Sequence, residues 1–101
     1  MPSPNSILDQ IVRDKEIAER ILNETALPPD KAGLKEDVLE DFTQLRRLVE
    51  YVVEDPHGRN EIKLMAGQLL MAVHSVTETG DTDILEHEES FVREKIRRLF
   101  E

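Results

Sequence analysis

The stretch EDPHGRNE, Glu54 to Glu61, separates two long apolar segments and decides how the middle of the chain folds. Pro56 disfavours helix at the residue before it, and Gly58 is suited to a left-handed turn. Asn60 is a favourable N-cap for the segment that follows. The stretch therefore predicts a stop, a turn and a restart between two helices.

Outward from this turn, similar breaks divide the chain into four segments with helical periodicity. The consecutive prolines of ALPPD, residues 26–30, cannot continue a helix, and Gly80 ends the third segment. The predicted helices are residues 5–23, 31–54, 60–79 and 82–100. The connections are short, so the sequence predicts an all-α four-helix bundle with antiparallel neighbours.

The helix starts have their own signals. Asp30 is the expected N-cap of the second helix, whose predicted apolar face consists of Leu34, Val38, Phe42, Leu45, Leu48, Val49, Val52 and Val53. In the fourth helix, Glu89 and Arg93 have the favourable i,i+4 order, which predicts a solvated surface. The fourth begins at residue 81, 82 or 83, and Asp83 with Glu86 three residues later has the spacing of a capping box.

Length and composition narrow the range of functions. A chain of 101 residues predicts one domain, and the absence of cysteine excludes disulfides and thiolate chemistry. No segment is apolar for long enough to suggest a membrane span or a secretion signal, so we expect a cytoplasmic protein. The formal net charge of −9 would repel phosphates, and we expect no direct binding to nucleic acid.

The third segment has apolar residues on two sides. In IKLMAGQLLMAVHSV, residues 62–76, only Lys63 carries a full charge. One side is an ordinary core face, formed by Ile62, Met65, Ala66, Leu69, Val73 and Val76. On nearly the opposite side are Leu64, Gly67 and Met71, flanked by Gln68 and Ser75.

A helix that is apolar on both sides has to be covered on both sides. The sequence therefore predicts a partner-binding face at Leu64, Gly67 and Met71, used for a homodimer or for a helix of another protein. Tyr51 is a possible accessory residue outside this helix, because tyrosine is favoured at interfaces. The alternative is that the first helix covers this side within the monomer.

Charged residues also interrupt the apolar stripes of two helices. Asp14 and Lys15 do so in the first helix. In the fourth, Glu88 interrupts the core stripe and Lys95 lies at its edge; the stripe consists of Ile84, Leu85, Phe91 and Val92. His74 lies at the border of the third helix's core face. These five residues predict a buried polar network, in which Asp14 would pair with Lys95, or Lys15 with Glu88.

Other candidate sites are less supported by the sequence. His57 and Arg59 near a helix start form a candidate anion site, although the acids around them oppose it. No glycine-rich phosphate loop, catalytic residue, metal ligand set or cofactor motif is identified.

The leading functional prediction is a small acidic helical interaction module that is not an enzyme: an adaptor, a regulatory subunit or an inhibitor. Its partner would be a second copy or another protein. One alternative is a metal- or small-molecule-binding bundle with hydrolytic activity around Asp14, His74 and Glu88. A weaker alternative is an acidic mimic that inhibits a nucleic-acid-binding protein. Its acids would include Glu36, Asp37, Glu40 and Asp41.

Overall fold

A computed structural model describes residues 4–52 and 54–100, and the side chains of residues 6–52 and 54–99. Its helices are α1 (Pro4–Glu24), α2 (Leu34–Tyr51), α3 (Pro56–Thr79) and α4 (Thr82–Phe100), with a 3₁₀ turn at Pro29–Lys31 before α2. The prediction of an all-α four-helix bundle with short connections is confirmed.

The first connection delays the start of α2. Its consecutive prolines lead into the 3₁₀ turn, and α2 begins only at Leu34, after Gly33. The prediction that Asp30 caps a helix from residue 31 is therefore wrong. The turn is attached to α4 instead, because the Lys31 ammonium donates to the carboxylates of Asp83 (3.4 Å) and Glu86.

The second connection is shorter than the sequence predicted. The Asp55 side chain accepts a hydrogen bond from the His57 backbone N–H at 3.1 Å, so Asp55 is the N-cap and Pro56 begins α3. Proline is tolerated there because the first helical N–H groups have no partner within the helix. The predicted cap at Asn60 is wrong, since Asn60 lies within the helix.

Gly58 also has a different role from the one predicted. It is a buried helical residue rather than a left-handed turn residue, and a Cβ atom there would lie 2.9 Å from Cβ of Val52. The end of α2 can pack this closely against the start of α3 only because Gly58 has no side chain.

The third connection agrees with the predicted stop at Gly80. Gly80 has φ 73°, and its N–H donates to the carbonyl of Val76 at 2.8 Å. Asp81 then accepts from the backbone N–H of Asp83 at 2.9 Å, as an N-cap does. The predicted capping box is not formed, since Glu86 accepts from Lys31.

The four helices form a ring in the order α1, α2, α4, α3. Residues near the end of α1 and the start of α2 meet where Lys35 donates to Asn23, and Glu61 meets Lys95 between α3 and α4. Both pairs of consecutive helices are therefore antiparallel hairpins. The hairpins stack with α1 on α3 and α2 on α4, and α1 and α4 lie diagonally opposite each other.

The core lies between the hairpins. The predicted apolar face of α2 is buried through Leu34, Val38, Phe42, Leu45, Leu48 and Val49. Val52 is partly buried against the core, and Val53 lies outside the described residues. The predicted core face of α3 is also buried, from Ile62 to Val76.

Candidate interaction surface

The second apolar side of α3 is not covered by the rest of the described chain. The side chain of Leu64 is 60% exposed and that of Met71 is 72% exposed, although α1 packs against α3. The first helix therefore does not cover this side, contrary to the alternative that the sequence left open.

Two apolar side chains of α4 extend the same surface. Ile84 is 44% exposed and Phe91 is 48% exposed, whereas Leu85 and Val92 are fully buried. Sequence reasoning placed all four in one core stripe. The core stripe of α4 is in fact centred between Leu85 and Val92, so that Ile84 and Phe91 lie at its exposed edge.

The pairing of α3 with α4 sets the level of each residue on this surface. Glu61 accepts a hydrogen bond from Lys95 at 2.9 Å, and each further turn of α3 meets an earlier turn of the antiparallel α4. Leu64 is consequently level with Phe91, Gln68 with Glu88, and Met71 with Ile84. A shallow groove lined by the last four of these residues, with Ala72 and Ser75, agrees with this register.

We call this surface the outer face. It consists of Leu64, Gly67, Gln68, Met71 and Ser75 of α3 and Ile84, Glu88 and Phe91 of α4. Along the helices it alternates between an apolar layer at Leu64 and Phe91, a polar layer at Gln68 and Glu88, and a second apolar layer at Met71 and Ile84. The residues that the sequence grouped as a partner-binding face on the third helix are all among its α3 residues.

Gly67 lies between the levels of Leu64 and Met71 on α3, and nothing in the described part of the chain packs against it. A Cβ atom added there would meet no other atom within 4 Å. Glycine in a helix interior costs about 0.5–1 kcal/mol relative to alanine. The open space above Gly67 would let a second backbone approach α3 closely.

Charged residues mark one end of the outer face. Lys95 bonds to Glu61, and its ammonium lies 5.5 Å from the centre of the Phe91 ring. The hydrogen bond and charge of Lys95 lower the pKa of Glu61, which stays ionised. At the other end, the Ser75 hydroxyl donates to the backbone carbonyl of Met71 at 3.1 Å and leaves the surface uncharged.

Tyr51, the predicted accessory residue, is exposed in the last turn of α2. It is not part of the outer face, which belongs to α3 and α4 alone. Its role at an interface stays a prediction.

The predicted polar network is not assembled. Asp14 is buried, and burial raises its pKa, while a hydrogen bond from Gln10 and the charge of Arg13 lower it. Lys95 bonds to Glu61 rather than to Asp14. Lys15 and Glu88 are on the diagonally opposed helices α1 and α4, and they form no ion pair in the described part of the chain.

His74, the fifth predicted member, is exposed on α3. The proposed hydrolytic group of Asp14, His74 and Glu88 is therefore not brought together, because Asp14 and Glu88 lie on opposed helices. Among the described residues, no three or more His, Asp or Glu side chains are grouped in a way that could hold a metal ion.

The carboxyl groups that are buried together are Asp41 of α2 and Glu89 of α4, which sequence reasoning missed. Asp41 is 3% exposed and Glu89 is 2% exposed. Burial, and then the adjacent Glu89 carboxylate, raise the pKa of Asp41 to about 9. Asp41 is therefore protonated at neutral pH and donates a hydrogen bond to Glu89.

Arg93 supports this pair from the surface. Its guanidinium lies 3.7 Å from Glu89 one turn earlier on α4, which is the i,i+4 pair expected from the sequence. Asp41 Oδ2 and Glu89 Oε2 are buried and have no hydrogen-bond partner in the part of the chain described. The proton on Asp41 and the charge of Arg93 thus reduce the negative charge of the pair within the fold, although one buried oxygen of each carboxyl group stays unpaired.

The candidate anion site is not formed as predicted. His57 is exposed, with Nε2 3.9 Å from Glu61, and lines a groove on the α4 side with Lys95. Arg59 lines a different groove, with Ile7 of α1 and Lys63. Two residues apart in a helix point to different sides, so the two cations do not converge.

The acidic surface predicted for a nucleic-acid mimic is also altered. Glu36, Asp37 and Glu40 are exposed on α2, but Asp41 is buried. The four acids therefore do not form one continuous exposed surface.

No described helix combines the length and the apolar character that crossing a membrane requires. Comparisons of the chain with protein-family models, with curated proteins and with solved structures give no match.

Proposed function

We propose that the chain is a small interaction module, not an enzyme, that works in the cytoplasm as a homodimer joined through the outer face. One observation carries the proposal: four large apolar side chains, from Leu64 and Met71 on α3 and from Ile84 and Phe91 on α4, are exposed on one surface. Large exposed apolar side chains grouped on one surface beside polar groups are typical of a protein-binding site.

A second copy is the partner that best fits this surface. The outer face carries few charges, although the chain as a whole has a net charge of −9. Two copies would repel each other through their acidic surfaces, and a contact through the outer face brings few charges together. The cysteine-free composition suits a reducing compartment. A dimer of this kind would act as an adaptor or a regulatory subunit that presents two copies of its acidic surface.

The test is the mass in solution, measured by light scattering over a dilution series from about 1 mM to about 1 µM. This range covers the dissociation constants of dimers of moderate affinity. The wild-type chain is expected to approach twice its 11.6 kDa mass at high concentration. Leu64→Glu places a charge in an apolar layer and is expected to remain a monomer at every concentration.

Val12→Glu is the matched control, because Val12 is an exposed apolar residue of α1, away from the outer face. This variant is expected to dimerise as the wild type does. Circular dichroism should show the same helix content for all three chains. A wild-type mass of 11.6 kDa throughout the series would contradict the proposal.

A further inference from the structure

The outer face is self-complementary in one specific orientation. Two copies can stack this face about a two-fold axis in the plane of contact, and the axis lies either along the helices or across them. An axis along the helices places α3 of each protomer over α4 of the other, with the levels unchanged. An axis across them places α3 over α3 and α4 over α4, with the levels reversed.

The polar layer distinguishes the two orientations. With the axis along the helices, the Gln68 amide faces Glu88 of the partner subunit and can donate to its carboxylate. With the axis across the helices, Glu88 faces the partner's Glu88. Two carboxylates brought together in an apolar contact repel each other and are costly to desolvate.

The charged end of the face favours the same orientation. Glu61 and Lys95 already bond at 2.9 Å within one chain. With the axis along the helices, Glu61 lies at the level of the partner's Lys95, so two positive and two negative groups would alternate in a ring. With the axis across the helices, Glu61 meets the level of the partner's Ser75, where no cation is present.

The apolar layers then match as well. Leu64 would contact the partner's Phe91, and Met71 would contact the partner's Ile84, so each helix of one protomer supplies apolar groups to the other. The open space at Gly67 lets the two layers of helices approach. We infer that the chain dimerises about an axis along the helices, with α3 of each protomer against α4 of its partner.

This inference rests on the proposed homodimer, and disulfide trapping tests it separately. The chain has no cysteine, so engineered residues are the only thiols. Leu64→Cys is mixed with Phe91→Cys, and separately with Met71→Cys, in a glutathione redox buffer. Since a disulfide needs Cα atoms within about 7 Å, we expect the 64–91 heterodisulfide to exceed the 64–71 heterodisulfide by about tenfold.

A second set of variants covers the case in which substitution of Leu64 weakens the dimer. Gln68→Cys mixed with Glu88→Cys is expected to form the 68–88 heterodisulfide in excess over the 88–88 homodisulfide. Predominant 64–71 and 88–88 disulfides would establish the axis across the helices and overturn the inference.

Light scattering on the wild type and on the reduced variants distinguishes a failure of the homodimer from a failure of the proposed orientation. A monomeric mass for the wild type would refute the homodimer itself. A dimeric mass without a 64–91 or a 68–88 disulfide would refute only the orientation.

Discussion

The outer face and the contact between α2 and α4 contain opposite exceptions to the usual distribution of side chains. On the outer face, large apolar groups such as Met71 are exposed, while between α2 and α4 the carboxyl groups of Asp41 and Glu89 are buried. The negative charge of the buried pair is reduced within the chain, by the proton on Asp41 and by Arg93. No side chain in the described part of the chain covers the apolar groups of the outer face, so of these two regions the outer face is the one for which we propose a second molecule.

The largest expected effect comes from removing one member of the buried pair. Glu89→Ala leaves Asp41 without its acceptor and opens a cavity, and should lower the free energy of unfolding by about 2–4 kcal/mol. Urea denaturation at pH 7 measures this change. Glu88→Ala, one residue earlier on the outer face, is the control; at a concentration low enough for the monomer, its expected change is within about 0.5 kcal/mol. Equal losses in the two variants would contradict the distinction between the regions.

The next effect concerns the proton that Asp41 holds. Its pKa is about 9 in the folded chain and 3.8 ordinarily, so the folded state binds more protons between these values. The stability that this group contributes is therefore complete below pH 3.8 and is lost as the pH rises through about 9.

Asp41→Asn keeps a donor for Glu89 but cannot titrate. Its free energy of unfolding relative to the wild type should therefore rise with pH, by up to about 1.4 kcal/mol for each pH unit between about pH 5 and about pH 8. Denaturation curves recorded at each pH unit from about pH 5 to about pH 9 give the slope of the free energy of unfolding against pH for the wild type and the variant. Glu36→Gln, at an exposed position earlier in α2, should leave the wild-type slope unchanged. A parallel slope for Asp41→Asn would mean that the proton is not held there.

The buried pair had a sequence signal that was misread. Leu85, Glu89, Val92 and Ile96 follow the spacing of one helical stripe, and Asp41 likewise falls between Val38 and Leu45 on the core side of α2. The i,i+4 pair of Glu89 with Arg93 suggested a solvated surface instead. Only the packing of α2 on α4 shows that the two acids meet, because residues 48 apart carry no local pattern.

The helices themselves were largely predictable from local chemistry. Gly80 and the paired prolines stop helices wherever they occur, so the number and order of the helices followed from the sequence. The start of α3 was misplaced because Pro56 was read only as a helix breaker, although Asp55 followed by proline is also a favourable helix start. The helical spacing of α3 predicted that Leu64 lies on the side opposite the core. Whether another helix covers Leu64 depends on how the helices pack, which the spacing does not show.

The smallest effect should distinguish the monomer from the dimer most directly, because one substitution should stabilise the folded monomer and weaken the dimer. Gly67→Ala meets no atom within the chain, so it should raise the free energy of unfolding of the monomer by about 0.5–1 kcal/mol. The added methyl group should hold two protomers apart and weaken the dimer by about tenfold, which corresponds to 1.4 kcal/mol. Denaturation at low concentration and light scattering over a dilution series measure the two effects.

Gly58→Ala is the contrasting variant for this prediction. Its Cβ atom would lie 2.9 Å from Cβ of Val52, so it should lower the free energy of unfolding by about 1–3 kcal/mol. Both glycines lie in α3, but Gly58 faces another part of the same chain and Gly67 faces open space. If Gly67→Ala stabilised the monomer and left the dimer equally tight, the protomers would not approach each other at Gly67, and the contact would have to lie elsewhere on the surface.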